Sequence, residues 1–248
     1  LNNANFGINQ IPTAASNSTA PSQPNPGGAT SVPVLASNFG GSDLSSGVID
    51  SIRIITFPAN ATSIAIGAVT YTPGTFPAGG VSVPTNASGQ PTQAISVDPA
   101  SGAVNVTITY VGVDNAGTPS ATSSTLTLPF TGLGISGTVF NDANGQFGTP
   151  ANTIDGTGSN AGGLNAVLVE GANNVVATTT VAANGTYSFS GVDGGTYTIS
   201  ITTVTATAGQ PAPSVTLPAG WISTAEFLGT GSGNDGIANG QLSVTLGA

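Results

Sequence analysis

Ile135-Ser-Gly-Thr-Val-Phe-Asn-Asp-Ala-Asn-Gly145 and, further on, Asn184-Gly-Thr-Tyr-Ser-Phe-Ser-Gly-Val-Asp-Gly-Gly-Thr-Tyr-Thr-Ile-Ser-Ile201 decide the fold. In the second segment Tyr187 and Phe189 alternate with Ser188 and Ser190. A turn holding Gly191 and Gly194-Gly195 follows, after which Tyr197, Ile199 and Ile201 alternate with Thr198 and Ser200. Alternation with period two, bounded by glycine turns, marks half-buried antiparallel strands, and the pair reads as a hairpin.

The same pattern extends in both directions. Strands are expected at 134–141, 166–170, 174–181, 186–190, 196–205, 213–217 and 242–246, which makes residues 132–248 one sandwich. Upstream, strand-like runs at 31–36, 48–57, 62–71, 81–83, 94–97, 104–111 and 124–130 make 30–131 another. Val104, Val106, Ile108 and Tyr110 alternate there with Asn105, Thr107 and Thr109, the clearest strand in the sequence. Helical periodicity is absent throughout. The fold class is all-β: two tandem immunoglobulin-like antiparallel β-sandwiches, joined near a short, stiff Thr131-Gly-Leu-Gly134 and preceded by a donor-type strand.

The opening ISGTVFNDANG with the later NGTYSF and GTYTISI resembles the B-type repeat domains of bacterial surface proteins. These are the serine–aspartate-repeat and collagen-adhesin B-like, prealbumin-like sandwiches, and the resemblance covers about 132–248. Residues 30–131 more loosely resemble immunoglobulin- or cadherin-like modules. The resemblance implies a stalk or fibre module without catalysis. In some B-type domains a Lys–Asn isopeptide bond braces the sandwich, but this protein has no Lys and cannot form one.

Composition narrows the function. Of 248 residues only 4% are charged, Arg53 is the one basic side chain, and the net charge is −9. Nucleic acid is excluded as a partner, because phosphate binding rests on clustered Lys and Arg. Anionic membrane surfaces are disfavoured for the same reason, and no stretch reaches the ~18–20 apolar residues of a spanning helix. Strand faces dressed in hydroxyls and amides suit a secreted, cell-surface protein, since uncharged surfaces are little affected by salt. The sequence reads as a mature or excised portion of a secreted precursor.

Residues 1–9 place Ala4, Phe6 and Ile8 on one face and Asn3, Asn5 and Asn9 on the other, a short strand. Residues 10–29, rich in Pro, Ser, Asn and Gly, read as an extended linker. In B-type repeats the last strand ends with a phrase like Asn5-Phe-Gly-Ile8, and no such phrase follows Leu242–Ala248. The resemblance therefore implies a second sandwich lacking its last strand, with a strand suited to that place at the other end of the sequence. Three arrangements would repair it: a tandem array, insertion of strand 1–9 into the next subunit, or fold-back within one polypeptide. The second is donor-strand complementation, and a head-to-tail contact that does not close makes a filament.

Chemistry is sparse. In related B-type repeats Asp-x-Asn-x-Asp/Asn-Gly-x-Ile-Asp binds calcium, and Asp142, Asn144 and Asp155 match parts of that loop with extra residues between them and no following bidentate Glu. Turn capping by the same side chains is the alternative. Asp43-Leu-Ser-Ser-Gly-Val-Ile-Asp50 resembles a degraded cadherin-type turn, and Asn234-Asp-Gly236 with Asn239 is a weaker acidic loop. Trp221 is expected to plug the core or rim. Without His or Cys the commonest general base and the thiol nucleophile are gone, and Glu170 and Glu226 have no evident partner for a carboxylate pair. No enzyme activity and no cofactor other than calcium is expected. The sequence thus points to a structural subunit whose partner is itself. The other readings are an adhesin module binding a surface glycan or host protein, and an accessory domain of a larger secreted protein.

Overall fold

The computed structural model describes residues 6–43, 47–145, 154–171, 173–229 and 235–247. They are strand, turn and extended segment, apart from one 3-10 turn at Ala36–Asn38. The protein is all-β, as its alternation requires. Its contacts divide into two compact units, Leu1–Thr131 and Gly132–Ala248.

Unit 1 contains β1 (Thr13–Ala14), β2 (Ser18–Thr19), β3 (Gln23–Pro24), β4 (Val32–Val34), β5 (Gly41–Ser42) and β6 (Ile49–Ile54). They are followed by β7 (Ala61–Ile66), β8 (Val69–Tyr71), β9 (Val81–Pro84), β10 (Ile95–Pro99), β11 (Val104–Asp114) and β12 (Ser124–Thr131). One sheet runs β4-β10-β7-β8, a second runs β2-β12-β11-β6-β9 with β3 also on β12, and β1 pairs with β5. On β11 the inward residues Val106, Ile108 and Tyr110 pair with Leu128, Leu126 and Ser124 of β12. Facing them across the core are Ile64, Ile66 and Val97 of the first sheet, all buried. The single strand expected at 62–71 is two, β7 and β8, folded back across the turn at Gly67.

Residues 10–29 do not form a free linker. β2 and β3 run parallel to β12 and cover its edge, with Leu126 opposite Ser18 and Phe130 opposite Gln23. Asn25 is fully buried; its Nδ2 donates to the carbonyls of Ala100 (2.8 Å) and Gly102 (2.7 Å), and its Oδ1 accepts from Gly27 N (3.0 Å). Pro and Asn gave this segment no periodicity, yet an extended stretch lacking a ladder of its own is well suited to cap an exposed strand edge. Asn25→Ala is expected to cost about 1–3 kcal/mol by stranding buried polar partners, read as a lowered thermal midpoint.

Unit 2 contains β13 (Leu133–Thr138), β14 (Phe140–Asn141), β15 (Thr157–Gly158), β16 (Asn165–Glu170), β17 (Asn174–Thr180), β18 (Thr186–Val192), β19 (Gly195–Thr202) and β20 (Gln241–Leu246). A four-stranded sheet, β17-β16-β19-β20, faces the two-stranded β13–β18, and β14 pairs with β15. Their shared core holds Ile135, Leu168, Phe189, Tyr197, Ile199 and Val244.

The hairpin expected at 186–201 is corrected. β18 pairs with β13, whereas β19 pairs with β16 and β20, so the backbone passes from one sheet to the other at Asp193-Gly194. Phe189 and Tyr197 thereby pack into one core from the two sheets, a placement that gives the same alternation as a hairpin would. Residues 213–217, expected as a strand, form no strand. Thr216 N donates to Thr202 Oγ1 (3.1 Å) and Thr203 N to Thr216 O (2.7 Å).

Candidate functional site

Among the described residues of unit 2, two strands, β13 and β18, stand opposite four. Among the described residues β13 has β18 on one side and no strand on the other. A groove of about 950 Å³ lies there. Ile135, Gly137 and Val139 of the β13 stretch line one side, and Ile199, Ile201, Leu242 and Val244 contribute from the four-stranded sheet. Leu217, Trp221, Phe227 and Leu228 belong to the irregular segment that completes the lining. Trp221 is 37% exposed, a rim residue. Sequence reading missed this lining because its apolar residues follow neither helical nor strand periodicity.

Two carboxylates line the groove, and both are occupied. Glu226 accepts from Ser223 Oγ and from the backbone N–H groups of Asn239 and Gly240, tying the irregular segment to the start of β20. Burial raises its pKa from the ordinary carboxyl value, against the lowering effect of those hydrogen bonds. Asp142 Oδ2 accepts from Thr224 Oγ1 (2.7 Å), a second tie between that segment and the β14 end.

The residues matched to a calcium loop do come together. Asp155 Oδ1 accepts from Ala143 N (3.1 Å) and Asn144 N (3.3 Å), its Oδ2 from Asn144 Nδ2 (3.2 Å), and Asp142 Oδ1 from Asp155 N (3.3 Å). These oxygens are engaged by N–H and O–H donors, the turn-capping arrangement. No cluster of three His, Cys, Asp or Glu occurs among the described residues, and calcium takes six to eight oxygens. Asp142, Asn144 and Asp155 supply part of such a set. Of the weaker acidic loops, residues 44–46 and Asn234 lie outside the described residues.

At the other end of the polypeptide, Ala4 lies outside the described residues, while Phe6 and Ile8 are 92% and 99% exposed. Residues 6–9 form no strand of their own. Asn9 marks where this arm joins unit 1: its Nδ2 donates to Asp114 Oδ2 (2.7 Å) and Thr118 Oγ1 (3.2 Å). The Asn9 bond is the largest influence holding the Asp114 carboxyl below the usual range.

No protein-family model matches the sequence, and no curated protein does. Among solved structures it is similar to BcpA, the major pilin subunit of Bacillus cereus, at 15% identity and a TM-score of 0.32, with 67% of this protein and 52% of that one covered. It is also similar to a variant of that subunit at 13% identity and a TM-score of 0.34, with 79% and 54% covered. The protein spans about half the length of these structures.

Proposed function

We propose that the protein is an extracellular structural subunit that polymerises head-to-tail, residues 1–9 of one copy entering the groove beside β13 of the next. The observation that carries this reading is the match between two exposed apolar side chains, Phe6 and Ile8, and a groove of mixed apolar and polar lining beside a strand edge that has no partner among the described residues. The arm bears no charged side group, so it meets the groove without setting a charge against Asp142 or Glu226. Added as a strand, it would offer backbone groups to β13 and the side chains of Phe6 and Ile8 to the core. Burial of those two is worth about 1.5–3 kcal/mol each, and ladder hydrogen bonds add roughly 1 kcal/mol apiece. The joint is heterologous, so successive copies extend into a filament.

The test uses the protein's one tryptophan. A peptide of residues 1–9 is titrated into protein lacking those residues. Saturable binding with a blue shift of Trp221 emission is expected, with a dissociation constant on the order of micromolar once ordering costs are subtracted. Absence of binding by calorimetry at millimolar peptide would overturn the reading.

A further inference from the structure

Among the side chains that line the groove, Tyr187 carries a hydroxyl with no hydrogen bond within the described residues. Tyr187 on β18 stands opposite Gly137 of β13. Its ring meets Phe189 edge-on, with centroids 6.1 Å apart and planes at 66°. The phenol lies across Gly137, where any Cβ would overlap the hydroxyl oxygen and ring. Glycine here has a specific use: with no side group on β13, the Tyr187 ring and hydroxyl lie over the backbone of Gly137.

The three other tyrosines differ in setting. The Tyr110 hydroxyl accepts from Gly40 N at 3.2 Å, and that of Tyr197 donates to Asp193 O at 3.1 Å. Tyr71 belongs to unit 1, where it packs edge-on against Phe76. Tyr187 makes no hydrogen bond within the described residues, although it lines the groove and burial raises its phenol pKa. Tyr187 is half-buried, and its hydroxyl is open to a group that enters the groove.

We infer that the Tyr187 hydroxyl is the polar anchor of the joint, completed by a backbone group of the incoming strand. The inference rests on the strand-donation reading. The identity of the partner follows from the arm itself. Ala4, Phe6 and Ile8 form its core-facing side and carry no side-group oxygen or nitrogen, so only a backbone carbonyl or N–H can reach the phenol. A strand added at β13 runs about 4.7–4.9 Å from it, beside the glycine over which the Tyr187 hydroxyl lies.

Tyr187→Phe removes one oxygen and keeps the ring that packs on Phe189. In protein lacking residues 1–9, this variant is expected to unfold at the parent's temperature and to bind the 1–9 peptide roughly tenfold more weakly, as the loss of one buried hydrogen bond allows. Equal affinity in variant and parent overturns the anchor while leaving strand donation standing. A parent that does not bind the peptide overturns both. A variant with a lowered melting temperature and unchanged affinity assigns Tyr187 to packing alone and overturns the anchor.

Discussion

Aspartate at both Phe6 and Ile8 is expected to leave the protein monomeric under conditions in which the wild type forms filaments. The two side chains are 92% and 99% exposed in the single copy, so the substitutions remove no packing from either unit and the melting temperature should not change. In the proposed joint the same positions face the core side of the groove beside β13. Each substitution forfeits about 1.5–3 kcal/mol of burial and sets a carboxylate where it must stay hydrated or be neutralised. Even the lower sum corresponds to more than a hundredfold in affinity. Sedimentation velocity over a concentration series reads the effect directly. A double variant that polymerises like the wild type would place the joint elsewhere on the molecule.

The second large effect is expected at Gly185, in the turn of the Asn184-Gly-Thr-Tyr motif. Its φ is 83°, and a Cβ would overlap the Val139 carbonyl oxygen. Three backbone bonds converge there: Val139 N donates to Gly185 O (2.9 Å), Ser159 N to Val139 O (2.9 Å), and Gly185 N to Ala182 O (2.7 Å). Gly185→Ala combines left-handed strain with a collision against backbone that cannot rotate away, about 2–4 kcal/mol together. The midpoint of unit 2 should fall by roughly 10 °C. Trp221 lies in this unit, so its fluorescence reports the transition. Affinity for the 1–9 peptide should fall as well, because the displaced Val139 continues β13 along the groove. A melting curve unchanged to within a degree or two would contradict this account of the turn.

Much of the fold was legible in residue patterns. β11 and β16 announce themselves by alternation or by an apolar run, and the observed strands Val104–Asp114 and Asn165–Glu170 lie close to the expected spans. Alternation fixes which face of a strand is buried but not which strand lies beside it. That is why β18 and β19 read as a hairpin although they belong to opposite sheets. The segment at 10–29 was misread for a different reason: its attachment depends on Asn25 reaching carbonyls at Ala100 and Gly102, far away in sequence. Of the candidate site, Phe6 and Ile8 stood out as an apolar face on an otherwise polar arm. The groove did not, since its lining between Leu217 and Leu228 has no period and depends on the ties at Glu226 and Asp142. Tyr187 was legible as a strand residue, but its unpaired hydroxyl follows only from its place over Gly137.

The most direct measurement mixes two variants, each disabled at one side of the joint. One lacks residues 1–9 and keeps the groove. The other keeps the arm and carries Gly137→Val, whose side group must displace the Tyr187 ring that lies across this position. Strand donation predicts that each alone is monomeric and folded by circular dichroism, and that the mixture yields a 1:1 complex and nothing larger on size exclusion with light scattering. Filaments from the variant without residues 1–9, or a mixture that stays monomeric while the wild type polymerises, would contradict it.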